Sequence, residues 1–143
     1  MTDLQGAVGV IQIQKLKQFI SERAEWAAYY RKELGDINCL QLPSEPEKGS
    51  HGWQSFVTIL DPKKSPISRN DLMEKLQADG ISTRPGTHAI HMLTYYRNRY
   101  EFIETDYPGS LICNNYSMAI PLHNRMSADD FTYVVQQLRK YLA

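Results

Sequence analysis

The segment RPGTHAIHMLTYYRNRY, residues 84 to 100, carries the side chains most capable of chemistry. It holds two of the four histidines together with three arginines and three tyrosines. Imidazole and guanidinium groups donate hydrogen bonds to phosphate, carboxylate and hydroxyl oxygens at neutral pH. The composition of this segment therefore predicts a loop that contacts a phosphorylated or hydroxylated small molecule.

Three side chains of this loop are candidates for substrate binding. Pro85 and Gly86 favour an extended backbone at Arg84, whose guanidinium could fork onto a carboxylate or phosphate or form a surface ion pair. His88 and His91 could share a zinc ion, could divide into one packed and one exposed histidine, or could both contact a ligand. No acidic or thiol ligand lies nearby to complete a metal site. We predict that Arg84, His88 and His91 bind substrate, and we assign no catalytic and no metal-binding residue.

Two further groups of polar and aromatic residues have a structural alternative. His51 and Trp53 are one residue apart and should point the same way, and Trp53 favours a core or interface position over ligand stacking. His123 and Asn124 follow a predicted strand, where either a ligand contact or a turn with local hydrogen bonds explains them. The chain has no GxSxG, P-loop, HExxH or GxGxxG pattern.

Length and composition indicate one domain, residues 1–143, with an ordinary apolar content of 42%. Sixteen basic and sixteen acidic residues cancel, so the net charge does not favour nucleic acid or an anionic membrane as partner. No apolar stretch approaches the roughly 20 residues of a membrane span. We expect a cytoplasmic protein in which Cys39 and Cys113 are free, buried thiols in strand-like and helical segments.

A long first helix is the element that the sequence predicts most clearly. Thr2 and Gln5 have the spacing of a capping box, and Gly35 is expected to end the helix in a left-handed conformation. Apolar residues occupy nearly every side of the first three turns, which we expect to be buried all round. Gly6 and Gly9 cost helix stability, and this cost suggests that another backbone packs closely there.

The remaining patterns predict a small mixed or antiparallel sheet covered on one face by helices, an α/β (α+β) fold. Caps at Ser68 and Ser127 mark two helices, and Gly80 is expected to close the first of them. A proline at the first turn marks a third helix over PGSLICNNY. The predicted order is helix, strand, strand, helix, strand, loop, helix, strand, helix. The predicted strands lie in INCLQLP, WQSFVTIL, ISTRP and SMAIPLH.

Three segments resemble motifs of the DegT/DnrJ/StrS aminotransferase family. MTDLQGAVGVIQIQKLKQFISER is similar to the family pattern RMTDxQAAxGxxQLxxLxxFIxxR, and GISTRPGTHAIHMLTYYR is similar to GIxTRxxxHPLHxxxYYR. SMAIPLHNRMSADDFTYVVQQLRKYL resembles SLPLHPxLTxEDxxYVVxxLxxFL. The matches cover nearly the whole chain in the family's order, with Ala89 where the family commonly has proline.

The resemblance implies the small C-terminal domain of a fold type I enzyme that uses pyridoxal 5′-phosphate to aminate a keto sugar of a nucleotide sugar. In the family the cofactor is the electron sink, and the lysine that holds it belongs to a large N-terminal domain. That domain has no counterpart in these residues, so we expect no cofactor bound to this chain alone. His88 and His91 match the histidines that line the substrate side of the family's active site, and Arg84 matches the preceding arginine.

Two functions remain open from the sequence. The first is a C-terminal domain or fragment of the aminotransferase, inactive alone, because Met1 coincides with the methionine inside the family's first motif. The second is a non-catalytic module that binds sugar nucleotides or regulates another protein. For the first, the expected partners are the nucleotide sugar, the missing large domain or a homodimer partner. The apolar first turns of the long helix should then drive self-association.

Overall fold

The computed structural model describes all 143 residues as five α-helices around one four-stranded antiparallel sheet. The helices are α1 (Asp3–Leu34), α2 (Arg69–Ala78), α3 (Thr94–Tyr100), α4 (Pro108–Tyr116) and α5 (Ala128–Leu142). The strands are β1 (Leu40–Gln41), β2 (Phe56–Leu60), β3 (Arg84–Pro85) and β4 (Ser117–Ile120). They lie in the order β1-β2-β4-β3, and every neighbouring pair is antiparallel. The predicted small antiparallel sheet with covering helices is confirmed.

An aromatic cluster joins α1 to α5 and to the sheet. The ring of Trp26 stacks on Phe131 with 4.1 Å between centroids and an interplanar angle of 8°. Tyr30 meets Phe131 and Phe56 edge to face at 5.3 and 5.2 Å. Trp53 stacks on Phe56, and it is buried as predicted for a core residue. Burial of rings of this size, with their favourable edge-to-face geometry, makes this cluster the centre of the core.

Polar contacts fix α1 beside the loop that follows β4. Asn124 accepts a hydrogen bond from Arg23 Nε at 2.9 Å and donates to the carbonyl of Phe19 and the carboxylate of Glu22. The same arginine donates from Nη1 to the carbonyls of Trp53 and Gln54. Asn124 therefore serves as an internal connector, which favours the structural interpretation of the segment after β4. The hydrogen bond from Asn124 is the main reason that the pKa of the Glu22 carboxyl is lowered.

The first half of α1 contains no buried residue. Leu4 is 77% exposed and Ile13 is 71% exposed, so the expected burial of the first three turns does not occur within this chain. A side chain added at Gly9 would meet no atom within 4 Å, and none of the predicted close packing is present there. Burial on α1 starts only in its second half, where the helix faces the rest of the fold. Most of the stability of a helix in a protein comes from such tertiary packing. No helix in the structure has the length and apolarity to cross a bilayer.

The capping predictions hold at three helix starts and one helix end. Thr2 and Gln5 form the predicted capping box, Ser127 forms another, and Ser68 caps α2. Gly80 follows the end of α2 as predicted, and its φ of 81° is left-handed. The prediction for Gly35 is wrong, because its φ is −69°. A side chain there would lie 2.7 Å from the carbonyl oxygen of Arg31, so glycine is needed for a close approach and not for its handedness.

Strand lengths and one helix differ from the sequence predictions. The predicted strand over INCLQLP shortens to two residues and the one over ISTRP to another two. Cys39 consequently lies in a turn, whereas Cys113 lies in α4 as predicted but is half-buried; both are free. Helix α3 lies inside the segment predicted to be a loop. Its start has no side-chain cap, and its tyrosines and arginines give no apolar stripe that would mark a helix.

A conservative change at Tyr30 tests the junction between α1 and β4. Its hydroxyl is inside the core and donates to the carbonyl of Pro121 at 2.9 Å, and burial raises the pKa of this phenol so that it remains a neutral donor. We expect Tyr30→Phe to lower the free energy of unfolding by about 1–2 kcal/mol, because the buried carbonyl loses its partner. Urea denaturation followed by circular dichroism measures this change.

Tyr29→Phe is the matched control, because the hydroxyl of Tyr29 meets Thr132 at the protein surface. The control should change the free energy of unfolding by less than about 0.5 kcal/mol. Equal losses in the two variants would show that the buried hydrogen bond does not stabilise the fold.

Candidate substrate-binding loop

The loop that follows β3 crosses the sheet at one glycine. The backbone N–H of Gly86 donates to the carbonyl of Ser117 at 3.2 Å. A side chain at this position would lie 2.5 Å from Ser117 Oγ and 2.5 Å from a methyl carbon of Val57. Only glycine therefore lets the chain pass this close to β2 and β4 before it turns outward.

Helix α4 holds the next part of the loop through an asparagine. The side-chain oxygen of Asn114 accepts a hydrogen bond from the backbone N–H of Ala89 at 2.9 Å. Ala89 is buried, so this bond satisfies a donor that water does not reach. The short 3-10 turn Ile90–Met92 follows and presents the second histidine inward.

The two candidate histidines have different environments. His91 is 5% exposed, its Nε2 lies 3.3 Å from the carbonyl oxygen of Glu104, and its ring lies 5.1 Å from that of Tyr107. His88 is exposed. This is the arrangement in which one histidine packs under the loop while the other faces solvent, and it leaves His88 free to reach a ligand.

Both histidines line one open cleft of about 470 Å³ between the loop and the start of α4. The other lining residues are Thr87, Ile90, Phe102, Tyr107 and Ser110. Hydroxyls, imidazoles and aromatic rings thus surround the cleft, and none of its lining residues is a carboxylate. Such a cleft suits a polar ligand with a flat or hydroxylated body.

Arg84 is placed apart from the histidine cleft. It lies on β3, opposite Ala119 of β4, and is exposed. It is not among the residues that line the cleft, and the four salt bridges of the structure do not include it. The structure thus brings His88 and His91 together, while the guanidinium of Arg84 has no ion-pair partner.

The other candidate residues have structural roles. His51 stacks on Trp53 at 4.2 Å, and its Nδ1 accepts a hydrogen bond from the backbone N–H of Trp53. His123 is exposed and bonds only within its own turn, to the N–H of Arg125. No three histidine, cysteine or acidic side chains lie close enough to hold a metal ion.

The lysines do not fit a pyridoxal 5′-phosphate site. All eight are exposed, whereas a lysine that forms a Schiff base must lose its proton, as burial in an apolar pocket or a neighbouring cation allows. The pKa of Lys140 is raised, chiefly by its contact with Tyr141 and further by Asp79, so this amine is held in its charged form. No step of cofactor chemistry can therefore be assigned to the side chains of this chain.

Several residues that line or support the cleft were missed from the sequence. Phe102, Tyr107 and Ser110 come from outside the 84–100 segment, and only the fold brings them to the histidines. Asn114 carried a usable signal, because two consecutive asparagines in a short helix are unfavourable unless their amides bond elsewhere.

Comparison with known proteins identifies the family of this chain. Residues 1–139 match the DegT/DnrJ/EryC1/StrS aminotransferase family. The chain has the fold of the small C-terminal domain of fold type I aminotransferases. It belongs to the DegT/DnrJ/EryC1/StrS aminotransferase family.

One curated relative is the spore coat polysaccharide biosynthesis protein SpsC of Bacillus subtilis, which is 29% identical over 97% of this chain and 36% of its own length. Spr1654 of Streptococcus pneumoniae, described as a sugar aminotransferase and solved in its PLP form, superimposes with a TM-score of 0.88. It is 20% identical and covers 100% of this chain and 37% of its own. DesI, solved in the presence of its TDP-sugar product, has a TM-score of 0.82 at 22% identity over 92% of this chain and 33% of its own.

The chain spans about a third of the length of the relatives that it matches. The fold of this third is shared in full, since the superpositions cover nearly all of the chain.

Proposed function

We propose that this chain is the small C-terminal part of a pyridoxal-phosphate-dependent aminotransferase that acts on the keto sugar of a nucleotide sugar. The chain is catalytically inactive alone, and Arg84, His88 and His91 face the substrate. Membership of the aminotransferase family supports the reaction class. The PLP form of Spr1654 and the TDP-sugar product of DesI support the cofactor and the substrate class.

The exposure of every lysine is the observation that carries the inactivity of the isolated chain. A cofactor lysine has to be desolvated or placed next to another cation to act as a nucleophile near neutral pH. These lysines are exposed to solvent, and Lys32, Lys64 and Lys140 pair with carboxylates. The large domain that supplies such a lysine in the family would join this chain along α1. We expect this chain to be located in the cytoplasm, because its two free cysteines are consistent with a reducing compartment.

The absence of a cofactor lysine predicts a simple labelling result. We expect the chain, incubated with pyridoxal 5′-phosphate and reduced with borohydride, to show only scattered substoichiometric adducts over its exposed lysines. Mass spectrometry of peptides measures the distribution. The proposal would be contradicted if a single lysine were labelled to one equivalent and if an amino donor, added before reduction, released the cofactor from that lysine.

His88 supplies the test of the substrate side. We expect a TDP-sugar to bind the chain weakly and to shift the NMR signals of the loop. We expect His88→Ala to weaken this binding about threefold to tenfold, because one hydrogen bond to an anionic ligand is lost. His123→Ala is the matched control, since that histidine is equally exposed but lies in another loop. Equal affinities for the two variants would exclude His88 from substrate binding.

The free half of α1 offers a surface for the missing partner. We name it the α1 surface. Its exposed apolar residues are Leu4, Val8, Val10, Ile11, Ile13 and Leu16, together with Ile20 just beyond the midpoint of the helix. An apolar surface of this extent on a single helix is unusual for a monomeric protein. We propose that the large domain or a second subunit covers it in the complete enzyme and that the isolated chain associates with itself through it.

A charge placed on the α1 surface should prevent this self-association. We expect the average mass of the unmodified chain in analytical ultracentrifugation to rise with concentration. We expect Ile13→Lys to shift the average mass toward that of the monomer, because an unpaired charge buried in the contact between chains is costly. Ala28→Lys adds the same charge at an exposed position in the second half of α1, outside this surface, and should leave association unchanged. An unmodified chain that remains monomeric at all concentrations would contradict the proposed role of this surface.

A further inference from the structure

A partly buried guanidinium at the start of α2 uses few of its hydrogen-bond donors. Arg69 donates from Nη1 to the carbonyl of Ser117 at 2.9 Å, and its side chain makes no other hydrogen bond in the structure. Its Nε is buried and has no acceptor. None of the four salt bridges includes this residue. Because a guanidinium has N–H donors on each of its nitrogens, most of the donors of Arg69 have no partner in the chain.

The charge of Arg69 is not balanced by a carboxylate. Burial lowers the pKa of its guanidinium, and desolvation is the only cause of that shift. The acidic residues nearest in sequence are engaged elsewhere. Asp61 pairs with Lys64 at 3.6 Å. Asp71 accepts a hydrogen bond from the hydroxyl of Ser68 at 2.7 Å. A partly desolvated cation without a counter-ion is costly, so this arrangement favours an anion that comes from outside the chain.

Arg69 lines an open cleft of about 400 Å³ between the start of α2 and the end of α4, which we name the Arg69 cleft. It shares no lining residue with the histidine cleft, and none of its lining residues is a carboxylate. The amide side chains of Asn70 and Asn115 line it as well. The side-chain oxygen of Asn115 accepts a hydrogen bond from Asn114 at 2.8 Å, which leaves its Nδ2 as a donor without an acceptor. The cleft therefore gathers one guanidinium and two amides that can donate to the same anion.

We infer that the Arg69 cleft binds a phosphate group, held by the guanidinium of Arg69 and the amides of Asn70 and Asn115. The planar guanidinium matches the spacing of phosphate oxygens, and its bonds to an anion are stronger than bonds between neutral groups. Leu60 and Ile67 line the same cleft and can contact the organic part of a phosphomonoester. The inference goes beyond the proposed function, because no residue of this cleft belongs to the loop proposed to face the nucleotide sugar.

Titration of the 143-residue chain with inorganic phosphate and with phenyl phosphate tests this site. NMR spectra are recorded at a pH where both ligands are dianions, with the ionic strength held constant by sodium chloride. We expect saturable shifts confined to residues 65–70 and 115–117. We expect Arg69→Gln to weaken binding about tenfold or more, because a charged hydrogen bond to the phosphate is lost. Tighter binding of phenyl phosphate would identify a phosphomonoester as the ligand, and equal binding would identify free phosphate.

A second variant tests the site if the loss of Arg69 disturbs the fold. Asn70 is exposed in the first turn of α2, where an acidic side chain is favourable for the helix. Asn70→Asp should therefore keep the fold and, by placing a negative charge in the cleft, weaken phosphate binding about fivefold or more. Asn98→Asp is the matched control, because it adds the same charge at an exposed position of α3 outside the cleft.

The inference is wrong if the shifts grow with phosphate concentration without saturating, as expected for an ion that acts only through the solvent. It is also wrong if Asn70→Asp and Asn98→Asp bind phosphate equally well. The binding of a TDP-sugar at His88 is measured separately, so its failure would contradict the proposed function and leave the Arg69 cleft intact.

Discussion

The stacking of α1 against α5 through Trp26 and Phe131 is the interaction on which the rest of the structure depends. It orients the second half of α1 across the sheet, where Tyr30 reaches both Phe56 of β2 and the carbonyl after β4. Aromatic packing of this kind is directional as well as apolar, so it sets the angle of the helix in addition to stabilising it. Once that angle is fixed, the first half of α1 must project beyond the domain.

The position of the loop follows from the sheet that this packing stabilises. β4 lies in the interior of the sheet, and its Ser117 receives the backbone of Gly86, where any side chain would collide. Asn114, on the helix that leads into β4, then holds Ala89. The chain from α4 to β4 thus supports the loop on two sides, and His91 is buried between the loop and the turn that precedes α4. A rigid support of this kind lets an exposed side chain such as His88 meet a ligand with little loss of entropy on binding.

The proposed division of function agrees with this architecture. The chain presents polar and aromatic groups that can hold a substrate, while all of its lysine side chains are exposed to solvent. Chemistry that needs an activated lysine requires a second body, and the apolar half of α1 is a surface that such a body could cover. Under the proposed function, the small domain would contribute recognition and the larger part of the enzyme would contribute the cofactor.

The sequence by itself determined the elements whose signals are local. The caps at Thr2, Ser68 and Ser127 and the helix end at Gly80 were predicted because each depends on residues within a few positions. The family motifs also identified the fold over nearly the whole chain.

Only the tertiary structure decided which residues share a cleft and which apolar residues find a partner. Phe102, Tyr107 and Ser110 join the histidines through contacts that no local pattern records, and Gly35 is required by a carbonyl oxygen that approaches it from the preceding turn. The two halves of α1 are both rich in apolar residues, yet only the second is buried. Periodicity shows which side of a helix is apolar, whereas burial depends on whether another part of the fold lies against it.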